Sequence, residues 1–183
     1  MRAVYPVLAA LALLPLAAGL TACDDPLGDG LNFIRLDSLT IAAVNGPSPL
    51  ASAIDVAVQN RPSFPELPSQ AGSWDLQVRQ SGSTFYLVPN PGNGNFRGAG
   101  VQKTPRTLEN PGEAPRNADA YTRTQVTVSA GDVYYVQTRQ QNPECGTVPK
   151  YGMVKVVATV PDSGVARLAV LSNQACNDER LRR

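Results

Sequence analysis

Apolar and polar residues alternate with a period of two through much of the chain beyond residue 33, which is typical of half-buried β-strands. The cleanest alternation runs over 74–79. A Ser-Gly pair at 81–82 separates it from the strand-like segment 84–88, so these segments are predicted to form a β-hairpin. A second hairpin is predicted over 153–171, because a Pro-Asp-Ser-Gly turn at 161–164 separates two alternating runs.

Other strand-like runs lie at 33–44, 54–58, 122–128 and 133–138, and a slip in the first of them predicts a bulge near Ser38. No segment beyond the N terminus shows sustained helical periodicity with capping residues. About seven to nine short strands, separated by glycine and proline turns, predict an all-β fold with the architecture of an antiparallel β-sandwich.

One segment, 89–118, departs from this pattern because it holds five prolines, five glycines and few large apolar residues, Phe96 among them. Long segments without regular structure are uncommon inside a compact domain. Two interpretations remain open: a mobile insertion, or a recognition loop held by the sandwich.

The N terminus follows a different pattern, with Arg2 before an almost wholly apolar run over 3–20. A basic residue, an apolar core and small residues before a cleavage site are typical of a secretory signal. The following residues, Leu20-Thr21-Ala22-Cys23, resemble the lipobox of bacterial lipoproteins. The alternative, a transmembrane helix with an incidental cysteine, is disfavoured because Pro6 and Pro15 interrupt a run of marginal length.

The resemblance implies cleavage between Ala22 and Cys23, a diacylglycerol on the Cys23 thiol, and a further acyl chain such as palmitate on the new amino terminus. The expected organisation is a signal peptide at 1–22, a lipidated tether at 23–32, one β-sandwich domain at 33–177 and a charged tail at 178–183. The chain is thus expected to be anchored to a membrane on its extracytoplasmic face. Asp24 resembles an inner-membrane retention signal of enteric bacteria, and the choice between inner and outer membrane stays open.

Charge adds little to this picture. Cleavage after residue 22 would leave 161 residues with 15 basic and 15 acidic side chains, since Arg2 is the one charge removed. No basic stripe stands out, so nucleic acid is not expected as a partner. The tail 178–183 is predicted to be a solvated end, with a docking motif as the alternative.

The cysteines indicate an oxidising compartment. With Cys23 assigned to lipid, Cys145 and Cys176 remain, and they are predicted to form a disulfide. A metal site or catalytic thiol is the weaker interpretation, because the chain has no histidine and no further cysteine pair.

Candidate chemistry is sparse. Without histidine, catalytic Ser-His-Asp and Cys-His constellations are excluded. The glycines match neither the GxxxxGK(S/T) motif nor the GxGxxG motif of phosphate-binding loops. A carboxylate pair could hydrolyse glycosides, but the sequence does not pair Asp75, Asp119, Asp132 or Glu144. The chain is therefore predicted not to be an enzyme and to need no cofactor or metal.

The segment 127–136 resembles the late strands of immunoglobulin-like or fibronectin-like secreted modules, although the cysteine spacing does not match the inter-sheet disulfide of antibody domains. The leading functional hypothesis is a non-catalytic envelope module that meets another envelope protein or a glycan. The alternative is a module that binds a glycan or peptide through the 89–118 loop, with Tyr134, Tyr135 and Phe96 as candidate contacts. Both tyrosines are also interpreted as ordinary sheet residues, and a carboxylate-based hydrolase is the third hypothesis.

Overall fold

Two five-stranded antiparallel sheets form the fold in the computed structural model, which describes residues 34–181. The predictions about the signal peptide, Cys23 and the tether therefore concern residues outside the described range. The all-β sandwich is confirmed. The described strands are β1 (Ile34–Ala42), β2 (Ala53–Asp55), β3 (Arg61–Ser63), β4 (Leu76–Ser81), β5 (Thr84–Pro89), β6 (Gly92–Asn93), β7 (Phe96–Arg97), β8 (Gly100–Lys103), β9 (Val126–Val128), β10 (Val133–Gln137), β11 (Tyr151–Val160) and β12 (Val165–Asn173).

Sheet A has the strand order β1-β12-β11-β10-β8, and sheet B has the order β3-β2-β4-β5-β9. A third, two-stranded ribbon is made by β6 and β7. The strands outnumber the predicted seven to nine because several have only two to four residues and lie in segments rich in proline or glycine. Such short strands leave too few residues for an alternation to be recognised.

Both predicted hairpins are present: β4 pairs with β5, and β11 pairs with β12. Gly164 closes the second turn with a φ of 64°, a left-handed conformation that glycine adopts without strain. The predicted bulge near Ser38 is wrong, because β1 pairs with β12 without a register shift. The irregularity lies instead in β11, between Val156 and Ala158, where Val157 is half exposed.

The main core lies between the sheets and is almost entirely aliphatic. It is supplied by the alternating inward positions of both sheets, as the two-residue period predicts. Its largest members are Ile41, Ile54, Val56, Leu76, Val78, Phe85, Leu87, Val136, Val154, Val156, Leu168 and Val170.

Sheet A is covered on its other face as well. A second cluster of buried residues there contains Tyr135 and Met153 from the sheet, Leu108 and Ala114 from the preceding segment, and Leu181 from the C terminus. The prediction of a solvated tail is wrong up to residue 181. Leu181 is fully buried, and its backbone N–H donates to the carbonyl of Gly112 at 3.2 Å.

The proline- and glycine-rich segment 89–118 belongs to the fold rather than forming one plain loop. Its first half contains β6, β7 and β8, the last of which is an edge strand of sheet A. Its second half carries Leu108 and Ala114 onto the outer face of that sheet. Its few apolar residues therefore attach it to both faces of sheet A.

Cys145 and Cys176 lie at disulfide distance, with Cα atoms 5.5 Å apart, as the sequence predicts. The bond closes a loop of 31 residues and ties the β10–β11 connection to the chain after β12. In the chain-entropy model such a bridge stabilises the fold by about 3–4 kcal/mol. No helix within residues 34–181 is long and apolar enough to span a membrane.

Candidate functional site

A cavity of about 340 Å³ opens at one end of the sandwich. It lies where the chain enters β4, where it leaves β5, against the β6–β7 ribbon, and against the segment that follows β10. The volume is at the lower end of the range for small-molecule sites. It is lined by Ala71, Gly72, Trp74, Asn90, Pro91, Gly92, Asn93, Phe96, Arg97, Arg139 and Gln141.

The ribbon that forms one wall depends on two glycines. A Cβ atom at Gly98 would overlap the carbonyl oxygen of Asn90, and one at Gly92 would overlap the carbonyl oxygen of Phe96. Gly92 also has a φ of 80°, which a side chain disfavours. Only glycine at these positions lets the two backbones approach closely enough to place Phe96 beside the cavity.

The ribbon is also held from the opposite side. The backbone N–H of Arg97 donates to Oε1 of Gln140 at 3.0 Å, and the backbone N–H of Gln140 donates to the carbonyl of Arg97 at 3.0 Å. Asn93 donates through its side-chain amide to Oε1 of Gln141. The ribbon and the segment after β10 are thus connected across the rim of the cavity.

Trp74 and Asn90 fix the wall beneath the ribbon. The indole N–H of Trp74 donates to the carbonyl of Ala71 at 2.9 Å, so the polar edge of the ring is bonded within the protein and its carbon atoms remain as lining. Asn90 donates through Nδ2 to the carbonyl of Trp74 at 2.7 Å and accepts from the backbone N–H of Gly92 at 2.8 Å. One buried amide therefore joins β4, β5 and the ribbon.

Arg139 forms the back of the cavity and the centre of a buried ionic cluster. Its guanidinium donates to both oxygens of Asp55, at 3.0 and 3.2 Å, and lies 3.1 Å from Oδ1 of Asp75. The side chains of all three residues are at least 95% buried. Because Arg139 follows β10 in sheet A while Asp55 and Asp75 belong to the side of sheet B, the cluster joins the two sheets.

Each carboxylate of the cluster accepts hydrogen bonds from several donors. Asp75 accepts from the backbone N–H groups of Arg139 and Ala57, both at 2.9 Å. Burial nevertheless raises the pKa of Asp75, since these donors offset only part of the desolvation. Burial opposes the charge of Arg139 too, but Asp75 and Asp55 outweigh it and raise the pKa of the guanidinium.

One N–H group of the guanidinium forms no hydrogen bond within the cluster. Among the described residues, Nε of Arg139 is a buried donor without a hydrogen-bond partner. This atom has almost no accessible surface, so a molecule in the cavity does not reach it. The candidate binding site at this end of the sandwich is therefore defined by the aromatic lining and the two arginines of the wall.

Lys150, next to this region, has a structural role. Its fully buried ammonium donates to the carbonyl of Ala57 at 2.8 Å and to Oε1 of Gln174 at 3.1 Å, and it pairs with Glu144. The lysine therefore holds the disulfide-bearing loop against the domain. This role could not be predicted from the sequence, because a lysine in a polar loop is usually exposed.

Of the three predicted ligand contacts, only Phe96 lines the cavity. Tyr134 is 3% exposed in the main core, and its hydroxyl donates to the carbonyl of Thr127. Tyr135 is 7% exposed in the outer cluster, and its hydroxyl donates to the carbonyl of Pro111 at 2.6 Å. Successive residues of a strand point to opposite faces, and because both faces of sheet A are covered, neither tyrosine is available as a surface contact.

The acidic residues considered for hydrolysis are distributed over different partners. Asp75 binds Arg139, Asp132 binds Lys103, and Glu144 binds Lys150. The carboxylates that do converge are Asp55 and Asp75, and the guanidinium of Arg139 occupies the position between them. No group of three or more Cys, Asp or Glu side chains suited to a metal ion occurs within residues 34–181.

A larger open groove of about 1110 Å³ runs along the outer face of sheet A, past Leu36, Lys155 and Val157. Its walls carry both charge signs, from Arg106, Glu109 and Glu113 among others. The smaller cavity is the stronger candidate, because it combines two aromatic side chains with two arginines and no carboxylate in its lining.

Comparison with known proteins adds no family or relative to the architecture described above. No protein-family model matches the chain, and neither the search of curated proteins nor that of solved structures finds a match. The immunoglobulin-like assignment and the lipoprotein assignment both stay predictions.

Proposed function

We propose that the chain is a lipid-anchored envelope protein whose sandwich domain is a non-catalytic binding module, with the cavity beside Trp74 and Phe96 as its ligand site. The observation that carries the binding role is the cavity of about 340 Å³, which is lined by the aromatic side chains of Trp74 and Phe96 and by Arg97 and Arg139. Ligand sites of this kind combine an apolar lining with a few fixed polar groups. The ligand is a glycan held at the rim of the 89–118 segment.

The anchor is supported by the sequence around Cys23. The lipobox-like stretch Leu20-Thr21-Ala22-Cys23 ends an apolar run, and the Cys145–Cys176 pair fits a compartment that permits disulfides. Two or more acyl chains give stable membrane attachment, whereas a single chain binds only weakly. We infer that the lipid holds the binding module at a membrane on its extracytoplasmic face.

A rigid wall supports binding over a purely structural role. Gly92 and Gly98 permit the close backbone approach, Asn90 joins three elements, and the Arg139 cluster fixes the back of the cavity. A preformed site loses less conformational entropy when a ligand binds than a flexible loop would. Hydrogen bonds within the fold thus hold the walls of the cavity in place before a ligand binds.

The sole tryptophan provides a direct assay, since Trp74 lies in the cavity wall. The purified full protein in detergent is titrated with galactose, N-acetylglucosamine and galacturonic acid while tryptophan fluorescence is recorded. At least one sugar should change the emission in a saturable manner. Phe96→Ala should weaken that binding by about tenfold or more, because it removes an aromatic contact.

Phe64→Ala is the matched control, because Phe64 is also half-buried but is not among the residues that line the cavity. It should bind as the wild type does. Equal affinity for Phe96→Ala and wild type would place the site elsewhere, and the absence of saturable binding of all three sugars would refute the glycan-binding role.

The anchor is tested separately in a bacterial host. Cys23→Ala should lose incorporation of radiolabelled fatty acid and should leave the membrane fraction, whereas Cys145→Ala should keep both. Unchanged labelling of Cys23→Ala would contradict lipidation at this residue.

A further inference from the structure

We propose that the saccharide bound in this cavity carries a carboxylate, and that Arg97 selects for that charge. The inference rests on the proposed glycan-binding role and adds the chemical class of the ligand. It follows from the charges of the wall, from the state of each arginine and from the groups on the rim.

The wall is electrically one-sided. Two of its described lining residues, Arg97 and Arg139, are cationic, and none of them is an aspartate or glutamate. The nearest carboxylates of the ionic cluster, Asp55 and Asp75, lie buried and are bonded to Arg139. A ligand in the cavity therefore meets hydrogen-bond donors and positive charge on this wall.

The two arginines are not equivalent. The charge of Arg139 is compensated by two buried carboxylates, so Arg139 adds little net charge to the wall. Arg97 is exposed and takes part in none of the ion pairs found within residues 34–181. Its backbone is nevertheless fixed on both sides by Gln140. Arg97 is thus a positioned cation whose charge is free for a ligand.

A third arginine strengthens the positive field. Arg123 lies behind the ribbon, where its guanidinium donates to the carbonyl of Gly98 and to Oε1 of Gln137. These partners are neutral. Burial lowers the pKa of Arg123 and repulsion from Arg97 lowers it further, while the carboxylate of Asp119 acts in the opposite direction; the two guanidinium groups are therefore close enough to interact. An anion beside Arg97 would relieve that repulsion.

The rim favours a sugar over a peptide. Because Nδ2 of Asn93 donates to Oε1 of Gln141, the Oδ1 acceptor of Asn93 and the amide N–H groups of Gln141 remain for ligand hydroxyls. Together with the carbon faces of Trp74 and Phe96, these groups suit a ring that has an apolar face and polar edges. Peptides are commonly bound by strand addition along an open sheet edge, whereas this site is a compact cavity of about 340 Å³.

The test compares acids with their esters. The full protein in detergent is titrated, through Trp74 fluorescence, with galacturonic, glucuronic and N-acetylmuramic acids and with the methyl ester of each. At least one acid should bind about tenfold more tightly than its ester, as expected for a hydrogen bond to a charged group. That preference should shrink as the salt concentration rises, because Arg97 is exposed to solvent.

Variants at position 97 assign the preference. Arg97→Met should bring the affinity for the acid within about twofold of the affinity for its ester, and Arg97→Lys should restore part of the preference. Arg167→Met is the matched control, since Arg167 is also exposed but lies on β12 and is not among the cavity residues.

The outcomes separate this inference from the proposed function. Equal binding of every acid and its ester would overturn the carboxylate inference and leave the glycan site intact. A preference that survives Arg97→Met would overturn the role of Arg97. If none of the six compounds binds but galactose or N-acetylglucosamine does, the carboxylate inference alone fails; if none of these sugars binds, the glycan-binding role fails as well.

Discussion

Sheets A and B have similar sizes but different environments. In sheet B the exposure of β5 alternates, with Phe85 and Leu87 buried and Tyr86 and Val88 half-buried between them. In sheet A every residue of β10 is buried, because the main core covers one face and the outer cluster covers the other. A run of apolar and aromatic residues such as Val133–Gln137 therefore does not by itself show that both faces of a strand are buried. Both faces are buried only when a distant segment of the chain covers the second face.

The connections between the sheets are as informative as the sheets. The chain passes from sheet B to sheet A through the β6–β7 ribbon, and again through the turn between β9 and β10. The ionic cluster of Arg139, Asp55 and Asp75 bonds the two sheets at a third place. Four substitutions test these contacts, and each isolates a different part of the contrast between the sheets.

The largest effect is expected at the bond between the sheets. Arg139→Met should lower the free energy of unfolding by about 3–5 kcal/mol, because it leaves Asp75 buried without a cation and leaves Asp55 with the exposed guanidinium of Arg61, at 3.5 Å, as its remaining partner. Urea denaturation measures the change. Arg180→Met, which removes an exposed pair with Asp178, is the control and should leave the stability unchanged within error. Similar stabilities for the two variants would mean that the cluster does not hold the sheets together.

The next test concerns the outer cover of sheet A. Leu181→Ala should destabilise the protein by about 2–4 kcal/mol, since it truncates a fully buried side chain between the sheet and the Gly112 region. Leu67→Ala, at a leucine that is 46% exposed, should change the stability far less. Thermal unfolding compares both with the wild type. A neutral Leu181→Ala would show that the C terminus does not cover the sheet.

A smaller effect is expected at the β6–β7 ribbon, through which the chain passes from sheet B to sheet A. Gly98→Ala should cost about 1–3 kcal/mol of stability, because the added methyl overlaps the backbone of Asn90 and Pro91. It should also weaken sugar binding by moving the ribbon. Gly72→Ala is the control within the same cavity, since a Cβ there would meet no atom within 4 Å. If Gly98→Ala unfolds like Gly72→Ala, the close approach at this position is not required.

The smallest effect is expected at the turn that leads from β9 to β10. Partial burial opposes ionisation of Asp132, but its bonds to Lys103 and to the backbone N–H of Ser129 outweigh it and lower the pKa of the carboxyl group. A lowered pKa in the folded state gives stability above the unfolded value, near 3.8, and this stability is lost as the pH falls through the folded value. Asp132→Asn should therefore cost roughly 1 kcal/mol at pH 7.

The pH dependence provides the check on Asp132. The gap in unfolding free energy between wild type and Asp132→Asn should close as the pH is lowered from about 5 toward 2, as followed by urea denaturation at each pH. The substitution leaves Ser129 unchanged. A gap in unfolding free energy that stays constant with pH would assign the effect to the geometry of the turn and not to the charge of Asp132.

The features that the sequence predicted correctly depend on neighbouring residues. The hairpins over 76–89 and 151–173 follow from a two-residue period and a turn with glycine at positive φ, both of which are written within about twenty residues. The Cys145–Cys176 pair follows from counting, once Cys23 is assigned elsewhere. Phe96 lines the cavity, and its role as a ligand contact stays a prediction.

The features that the sequence missed depend on distant contacts. Asp55, Asp75 and Arg139 come together from positions up to 84 residues apart, and the sequence gives each of them the appearance of an ordinary polar strand or loop residue. The cavity needs four separate elements to meet, so no local pattern announces it.

By itself, the sequence determined the all-β class, the turns and the cysteine pairing, because strand periodicity and turn dihedrals are properties of neighbouring residues. The tertiary structure alone decided that sheet A is covered twice, that Tyr134 and Tyr135 are buried, and that Arg139 meets Asp55 and Asp75 beside a cavity. The physical reason is that burial and electrostatic pairing depend on which distant segments meet, and that choice is made only when the whole chain packs.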